Sequence, residues 1–352
     1  MKANKGAAGM DGMTIEELPA AIKSHWPEIS RRLLDGSYHP EPVLRVEIPK
    51  PGGGIRLLGI PTVMDRVMQQ AILQILQGDH DENFSGSSFG FRPGRSARQA
   101  ILKSRDYVND GYRWVVDLDL EKFFDQVNHE LLMEEVKKFV SDPILLDRFD
   151  KELEKRGHRF VRYADDCTIY VVTRRAGLRV LASVTRFLQS KLKLKVNESK
   201  SGVDRPWNRA FLGITISWNN RIRVSPKFWK RFKDRVGDLT RRNRGWSMTR
   251  VIAELNVYLR GWKGYYNVAD SRDPFREMDG WVRRKLRCYQ LKQWGKSGYR
   301  KLRRLGVDRR TAWATSKAPH GPWRLSRTPG VNWALNNQHW RKMGLINLRS
   351  QT

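Results

Sequence analysis

The chain has 352 residues, 39% of them apolar, and a formal net charge of +30. That length suits two or three domains and the apolar share can fill a core, which excludes a globally disordered chain. The two cysteines, Cys167 and Cys288, are far apart and exclude a disulfide scaffold or a Cys-rich zinc site. No apolar run nears the ~20 residues of a membrane span, and the N-terminus lacks a signal-peptide core.

The expectation is therefore a soluble protein of a reducing cytosol with no membrane partner. In chain order, Pro61 suits the first position of a helix running to about Gln77. Its apolar stripe is Val63, Met64, Val67, Met68, Ala71, Ile72 and Ile75. A second helix is predicted over Ser96–Asn109. Trp114 to Asp119 reads as a buried strand ending in acid, and Asn128 can cap a helix to about Val140. Phe160–Tyr163 and Cys167–Val172 read as strands flanking Asp165-Asp166, a pattern that suits a tight hairpin. Arg179–Leu192 is amphipathic. Ala210–Ser217 and Arg221–Ser225 make a further hairpin, and helices follow at about 226–243, 249–268 and 274–293. The tail from Thr311 is rich in Trp, Pro and Gly.

The charge is unevenly spread. Residues 1–200 carry a balance of +4, with 32 basic and 28 acidic side chains. Residues 201–352 carry 35 basic against 9 acidic, and 11 of the 13 tryptophans. Such a half fits a polyanion: cations near phosphates release counterions, and aromatic faces stack on unpaired bases. The step near residue 200 is also a candidate domain boundary. The basic clusters include Lys227, Lys230 and Arg231, then Arg241 and Arg242, then Arg283, Arg284 and Arg287. The apolar residues between them follow helical spacing, which predicts core on one face and RNA phosphates on the other.

Two acidic clusters stand at predicted strand ends: Asp117-Leu118-Asp119, and Tyr163-Ala164-Asp165-Asp166. An Asp-Asp pair alone reads as an ordinary acidic turn. Between two apolar strands, with Asp119 upstream, it reads as a place where a divalent cation offsets carboxylate repulsion. Asp119 and Asp165, with Asp166 nearby, suit Mg²⁺. Two such ions can activate a 3′-hydroxyl and stabilise leaving pyrophosphate. Strand alternation puts Asp117 on the same face as Asp119.

At this point the chain resembles the reverse transcriptase–maturases encoded by bacterial group II introns. The resemblance rests on Asn4 to Gly12, Tyr38-His39-Pro40, Ile48-Pro49-Lys50 and Arg56 to Pro61. Further along it rests on Ser88 to Ser96, Phe211-Leu212-Gly213 and Tyr258 to Tyr266. It implies an α+β right-hand polymerase fold: fingers at about 1–110, palm at about 111–224, and a mainly helical thumb and maturase region at about 225–352. It implies RNA-templated DNA synthesis with deoxynucleotides on a DNA primer or target, binding of the intron RNA, and help with its splicing, in a bacterial cytoplasm.

Site roles follow from the same resemblance. Asp119, Asp165 and Asp166 would be the metal carboxylates, with the family's spacing selecting Asp119 over Asp117. Phe124 would be a steric gate against the 2′-hydroxyl, with core packing as its competing role. Lys50 and Arg56 would lie near the triphosphate, unless they are plain surface charge. Lys200 would assist pyrophosphate departure. Arg92 and Arg95 would hold template or primer backbone, with ion pairing inside the palm as the alternative. Asp125 would support its turn or helix.

One departure stands out. The family carries a long segment with a Pro-Gln-Gly block between the two acidic motifs, but here Asp119 and Asp165 are 46 positions apart and no Pro-Gln-Gly intervenes. The junction is expected near residues 149–150, at a cost to templated synthesis. The chain is expected to end with its RNA-binding region, since no Cys/His cluster for a zinc-dependent endonuclease follows Cys288.

Overall fold

The computed structural model describes residues 6–50, 53–78, 81, 84–121, 123 and 145–349. The chain divides into two compact units, Met1–Phe84 and Ser85–Thr352.

The first unit holds α1 (Leu18–Leu34), β1 (Leu44–Pro49), β2 (Ile55–Ile60) and α2 (Val63–Gly78). The strands pair antiparallel, with Leu44 across from Ile60 and Pro49 across from Ile55. Asp65, 3% exposed, ties the unit together. It accepts hydrogen bonds from the Tyr38 hydroxyl (2.6 Å), the Thr62 hydroxyl (2.7 Å) and the Glu41 amide (3.1 Å). Gly9 lies so near the Thr62 backbone that a side chain there would overlap it. The expected α2 stripe buries Val63 and Met68, but Ile72 is exposed, so the stripe covers core only in the first turns.

The second unit opens with α3 (Ala97–Asn109), started by the Ser96 hydroxyl, which accepts from the Gln99 amide. Then come β3 (Trp114–Leu118), α4 (Leu145–Lys155), β4 (Arg159–Tyr163), β5 (Asp166–Val171), α5 (Arg174–Lys191) and β6 (Gly202–Asp204). The antiparallel sheet has the order β4-β5-β3-β6. Alternation sorts its side chains into two layers. Val116, Leu118, Phe160 and Ile169 pack with Phe149 and Leu153 of α4 and Val184 and Leu188 of α5. On the other face, Val115, Val161 and Tyr170 pack with Ala100, Tyr107 and Val108 of α3. Residues 85–110, expected with the fingers, are thus part of the unit that contains this sheet. Helix α5 begins at Arg174, ahead of the expected Arg179, because the Thr173 hydroxyl accepts from the Ala176 amide and caps it.

The remainder is mainly helical. Hairpin β7 (Ile214–Ile216) and β8 (Ile222–Val224) leads into α6 (Pro226–Leu239), α7 (Met248–Tyr266) and α8 (Asp273–Trp294). Helix α6 ends before the expected residue 243. The hydroxyl of Thr240 bonds back to the Val236 carbonyl at 2.7 Å, and Thr240 is the C-cap. A short 3₁₀ turn precedes α9 (Gly298–Arg304), α10 (Arg309–Lys317), α11 (Pro322–Leu325), α12 (Pro329–Ala334) and α13 (Asn337–Lys342). Their shared core is aromatic: Trp262 lies 4.6 Å from Trp229, 4.8 Å from Phe232 and 4.5 Å from Tyr266, centroid to centroid. The architecture is α+β, helices with antiparallel sheet followed by a helical region, as the right-hand polymerase fold requires. The helix expected at 128–140 lies outside the described residues, as does Asp125. Among the described residues no helix is long and apolar enough to cross a membrane.

Candidate functional site

In hairpin β4–β5, Tyr163 pairs with Asp166, leaving Ala164 and Asp165 as the turn. Ala164 takes φ 56°, a left-handed conformation uncommon outside glycine. Arg162 braces it from beneath. Its guanidinium donates to the Ala164 carbonyl (2.9 Å), to the Ser88 hydroxyl (2.8 Å) and to the Asp150 carboxylate of α4 (2.7 Å). Both partners of the ion pair are buried, Asp150 completely. Burial pushes the Asp150 carboxyl up to about 6 against the pull of Arg162, and at neutral pH it stays ionised beside the guanidinium. The backbone of Ser87 and Phe89 extends the same edge, bonding both main-chain groups of Arg162 at 2.9 Å.

The catalytic candidates meet through strand register. Asp117 faces Thr168 and Leu118 faces Cys167. Asp119 and Asp166 are the next residues beyond that last pair, near enough for the Asp119 charge to act on Asp166. Asp117 shares that face by alternation. Burial raises the Asp117 carboxyl to about 6. Arg209, 3.8 Å away, opposes the rise, while Asp166 and Asp119 add to it. Asp166 keeps an exposed edge, yet partial burial raises its carboxyl as well, reinforced by Asp165 and Asp119 and opposed by Lys200. Lys200 Nζ sits 3.0 Å from Asp119 Oδ2. Main-chain bonds lock that neighbourhood: the Asp119 amide donates to the Ser201 hydroxyl (3.0 Å) and its carbonyl accepts from the Asn197 amide (2.8 Å). Lys200 is therefore delivered to Asp119 by the segment that follows α5.

These carboxylates repel one another and gather at a partly open strand end, which suits a hard cation. Among the described residues no three His, Cys, Asp or Glu side chains form a ready-made metal cage. Mg²⁺ needs no such cage, because one or two carboxylates plus substrate phosphates and waters satisfy it. Asp119 and Asp166 fit that role, with Asp165 in the adjoining turn.

The other expected site residues stand on other elements. Lys50 and Arg56 are exposed on the β1–β2 hairpin of the first unit, where Ile48 pairs with Arg56 and the Lys50 amide bonds Gly54 (2.9 Å). Phe124 lies outside the described residues. Arg92 donates to the carbonyls of Ser85 (2.7 Å) and Ser88 (3.1 Å), and Arg95 lies over the Phe89 ring at 5.4 Å. Both thus brace the Ser88–Arg92 block as well as carrying charge. Lys227, Lys230, Arg231, Arg241 and Arg242 are exposed along α6 and just after it. Arg231 covers Phe228, and Arg241 pairs with Asp238 at 2.7 Å. Arg284 lies 3.5 Å over the Trp323 ring and donates to the Trp323 carbonyl, while Arg287 donates to the Leu335 carbonyl. Arg283 is half-buried and makes no such bond.

Sequence reasoning missed Asp150, Arg162 and Arg209. Nothing in their spacing announces a pairing between helix and strand. Gly90 was within reach, because a glycine amid Phe89 and Phe91 signals a close backbone approach.

Comparison with known proteins now bears on this geometry. The model of the reverse transcriptase family (RNA-dependent DNA polymerase) matches residues 48–145 and again 143–216. The model of the group II intron maturase-specific domain matches residues 229–306. The chain belongs to the group II intron reverse transcriptase–maturases. Among relatives, Protein YkfC of Escherichia coli is 38% identical over 161 residues, covering 44% of this chain and 42% of that protein. The group II intron-encoded protein LtrA of Lactococcus lactis is 36% identical over 138 residues, covering 37% and 22%. Nuclear intron maturase 1 of Arabidopsis thaliana is 28% identical over 155 residues, covering 43% and 21%. The chain spans at most 42% of the length of these relatives. Telomerase from Candida albicans, solved in complex with the TWJ fragment of telomeric RNA, aligns at a TM-score of 0.42 and 12% identity. That alignment covers 70% of this chain and 59% of that one.

Proposed function

We propose that this chain is an RNA-directed DNA polymerase and maturase that binds group II intron RNA, assists its splicing and supports intron mobility by reverse transcription. The observation that carries the polymerase half is that Asp119 and Asp166 follow the last β3–β5 pair and interact through their charges, with Lys200 on Asp119. Asp119, Asp165 and Asp166 would hold Mg²⁺, two ions in the family's manner, which when bound supply charge neutralisation at the nucleotide phosphates. In this reading the chain's own residues orient the reactants. Lys200 donates to departing pyrophosphate, a role its 3.0 Å approach to Asp119 supports. Lys50 and Arg56 take the triphosphate, Phe124 disfavours a 2′-hydroxyl, and Arg92 and Arg95 help bind the template or primer backbone. Lys227, Lys230, Arg231, Arg241, Arg242 and Arg283 supply phosphate contacts, to which Arg284 and Arg287 add charge from their internal positions. The DNA target or primer, the deoxynucleotides and the bacterial cytoplasm belong to this same reading.

A second reading is favoured by one observation. The family match comes in two pieces that meet at residues 143–145, within the short interval between Asp119 and Asp165. A palm lacking its middle segment keeps the carboxylates but loses part of the nucleotide floor, which describes a splicing maturase with an inactive polymerase. Primer extension on an RNA template with Mg²⁺ and deoxynucleotides, run beside splicing of a group II intron, separates the two. Extension that vanishes in Asp119→Asn with RNA affinity kept supports the first reading. RNA binding and splicing without extension in the wild type supports the second, and absence of both activities and of RNA binding defeats both.

A further inference from the structure

Four arginines from three separate segments converge on one pocket in the helical region. Arg276 and Arg283 stand two turns apart on α8, Arg341 is on α13, and Arg349 lies in the tail beyond it. Together with Asp279 and Trp340 they surround a cavity of about 470 Å³. Among the described residues none of the four guanidiniums makes a hydrogen bond or close ion pair. This contrasts with Arg284 and Arg287 on the same helix, which are engaged with Trp323 and Leu335.

The one carboxylate in the pocket is already occupied. Asp279, 5% exposed, accepts from the amides of Leu348 (2.9 Å) and Arg349 (3.2 Å), so it fastens the tail that brings Arg349 to the site. Between Arg276 and Arg283 on α8 stands Gly280. A side chain there would meet nothing nearer than the tip of Arg283 at 4.0 Å, so the helix face is open between the two cations. Burial holds the Arg283 guanidinium below its usual value, with Asp279 opposing and Arg341 adding to the effect. Like charges gathered around one pocket repel until an anion arrives. Planar guanidinium forks match phosphate oxygens two at a time, and an arginine cluster is suited to that chemistry in a way lysines are not.

We propose that this pocket seats a backbone phosphodiester of the bound RNA, gripped by Arg276, Arg283, Arg341 and Arg349. The proposal rests on the RNA-binding reading above and names where that binding is strongest. Arg276 and Arg283 lie within the residues matched by the maturase-specific model, whereas Arg341 and Arg349 fall outside them.

The test uses the full chain, an RNA hairpin of defined sequence, and affinity measured across a salt series. The double variant Arg283→Gln/Arg341→Gln is expected to bind about tenfold more weakly or worse, since charge-assisted hydrogen bonds are lost. Its log affinity against log salt should flatten by roughly 0.7–0.9 for each phosphate contact removed. Its melting temperature should hold or rise, because repulsion is relieved. The Arg283→Lys/Arg341→Lys variant should keep the salt slope yet bind less tightly than wild type. Inorganic phosphate should raise the melting temperature of the wild type more than that of the glutamine variant. If the wild type binds the hairpin and the glutamine variant matches it in affinity and slope, the pocket is not the seat, while RNA binding stands. A melting temperature several degrees lower with the same loss in both variants would make these arginines structural and overturn the proposal. No RNA binding by the wild type would instead defeat the reading on which it rests.

Discussion

Gly90 lies directly against the turn that carries Asp165, so close that a methyl group on Gly90 would overlap the amide nitrogen of Ala164. The Ser88–Arg92 block is thus a platform beneath the Tyr163–Asp166 hairpin, and the absence of a side chain at Gly90 sets how low the hairpin can sit. Gly90→Ala should force the turn upward at an overpacking cost of about 1–3 kcal/mol. A lowered urea midpoint together with lost primer extension and unchanged RNA affinity is the expected outcome. An unchanged midpoint with full extension would show that the turn has slack.

The Arg162–Asp150 pair carries a larger penalty when broken. Asp150→Asn leaves a guanidinium buried without its counter-charge, which should cost about 3–5 kcal/mol by chemical denaturation. Replacing both residues with apolar ones of similar volume should cost less than either single change. A double variant as unstable as the sum of the singles would contradict the pairing.

Arg284 should report on folding more than on RNA. Its guanidinium stacks on Trp323 and bonds both the Trp323 carbonyl and the Ser326 hydroxyl, holding α11 to α8. Arg284→Ala should therefore destabilise the chain by about 1–2 kcal/mol. RNA affinity should change much less than in the Arg283→Gln/Arg341→Gln variant. A reversed order of effects, with stability intact and RNA binding lost, would assign Arg284 to the nucleic acid.

Much of this organisation is written locally in the sequence, and the rest depends on contacts between distant segments. The strands at Trp114–Leu118 and Arg159–Tyr163 follow from β-branched and aromatic runs, and the long helices from their apolar period. The approach of Asp119 to Asp166 is less accessible. It turns on the register between β3 and β5, strands about 50 positions apart, and a slip of one residue would bring Asp165 forward instead. The basic run on α8 reads as one charged face, yet Arg284 and Arg287 are claimed by α11 and by the Leu335 carbonyl while Arg283 is not. No helical wheel shows which arginine a later short helix will cover. Residues 85–110 join the sheet unit for a comparable reason: Tyr107 and Val108 of α3 find Val161 and Tyr170, partners more than 50 positions downstream.

The placement of Asp150 has a bearing on how such a chain tolerates change. Among the described residues the Tyr163–Asp166 hairpin is braced by residues 85–92, by Arg162 itself and by α4. The strap on Asp119 comes from residues 197–201. Among the described residues the two acidic motifs are thus held by separate straps, so a substitution that loosens the hairpin leaves the hold on Asp119 in place, and the reverse.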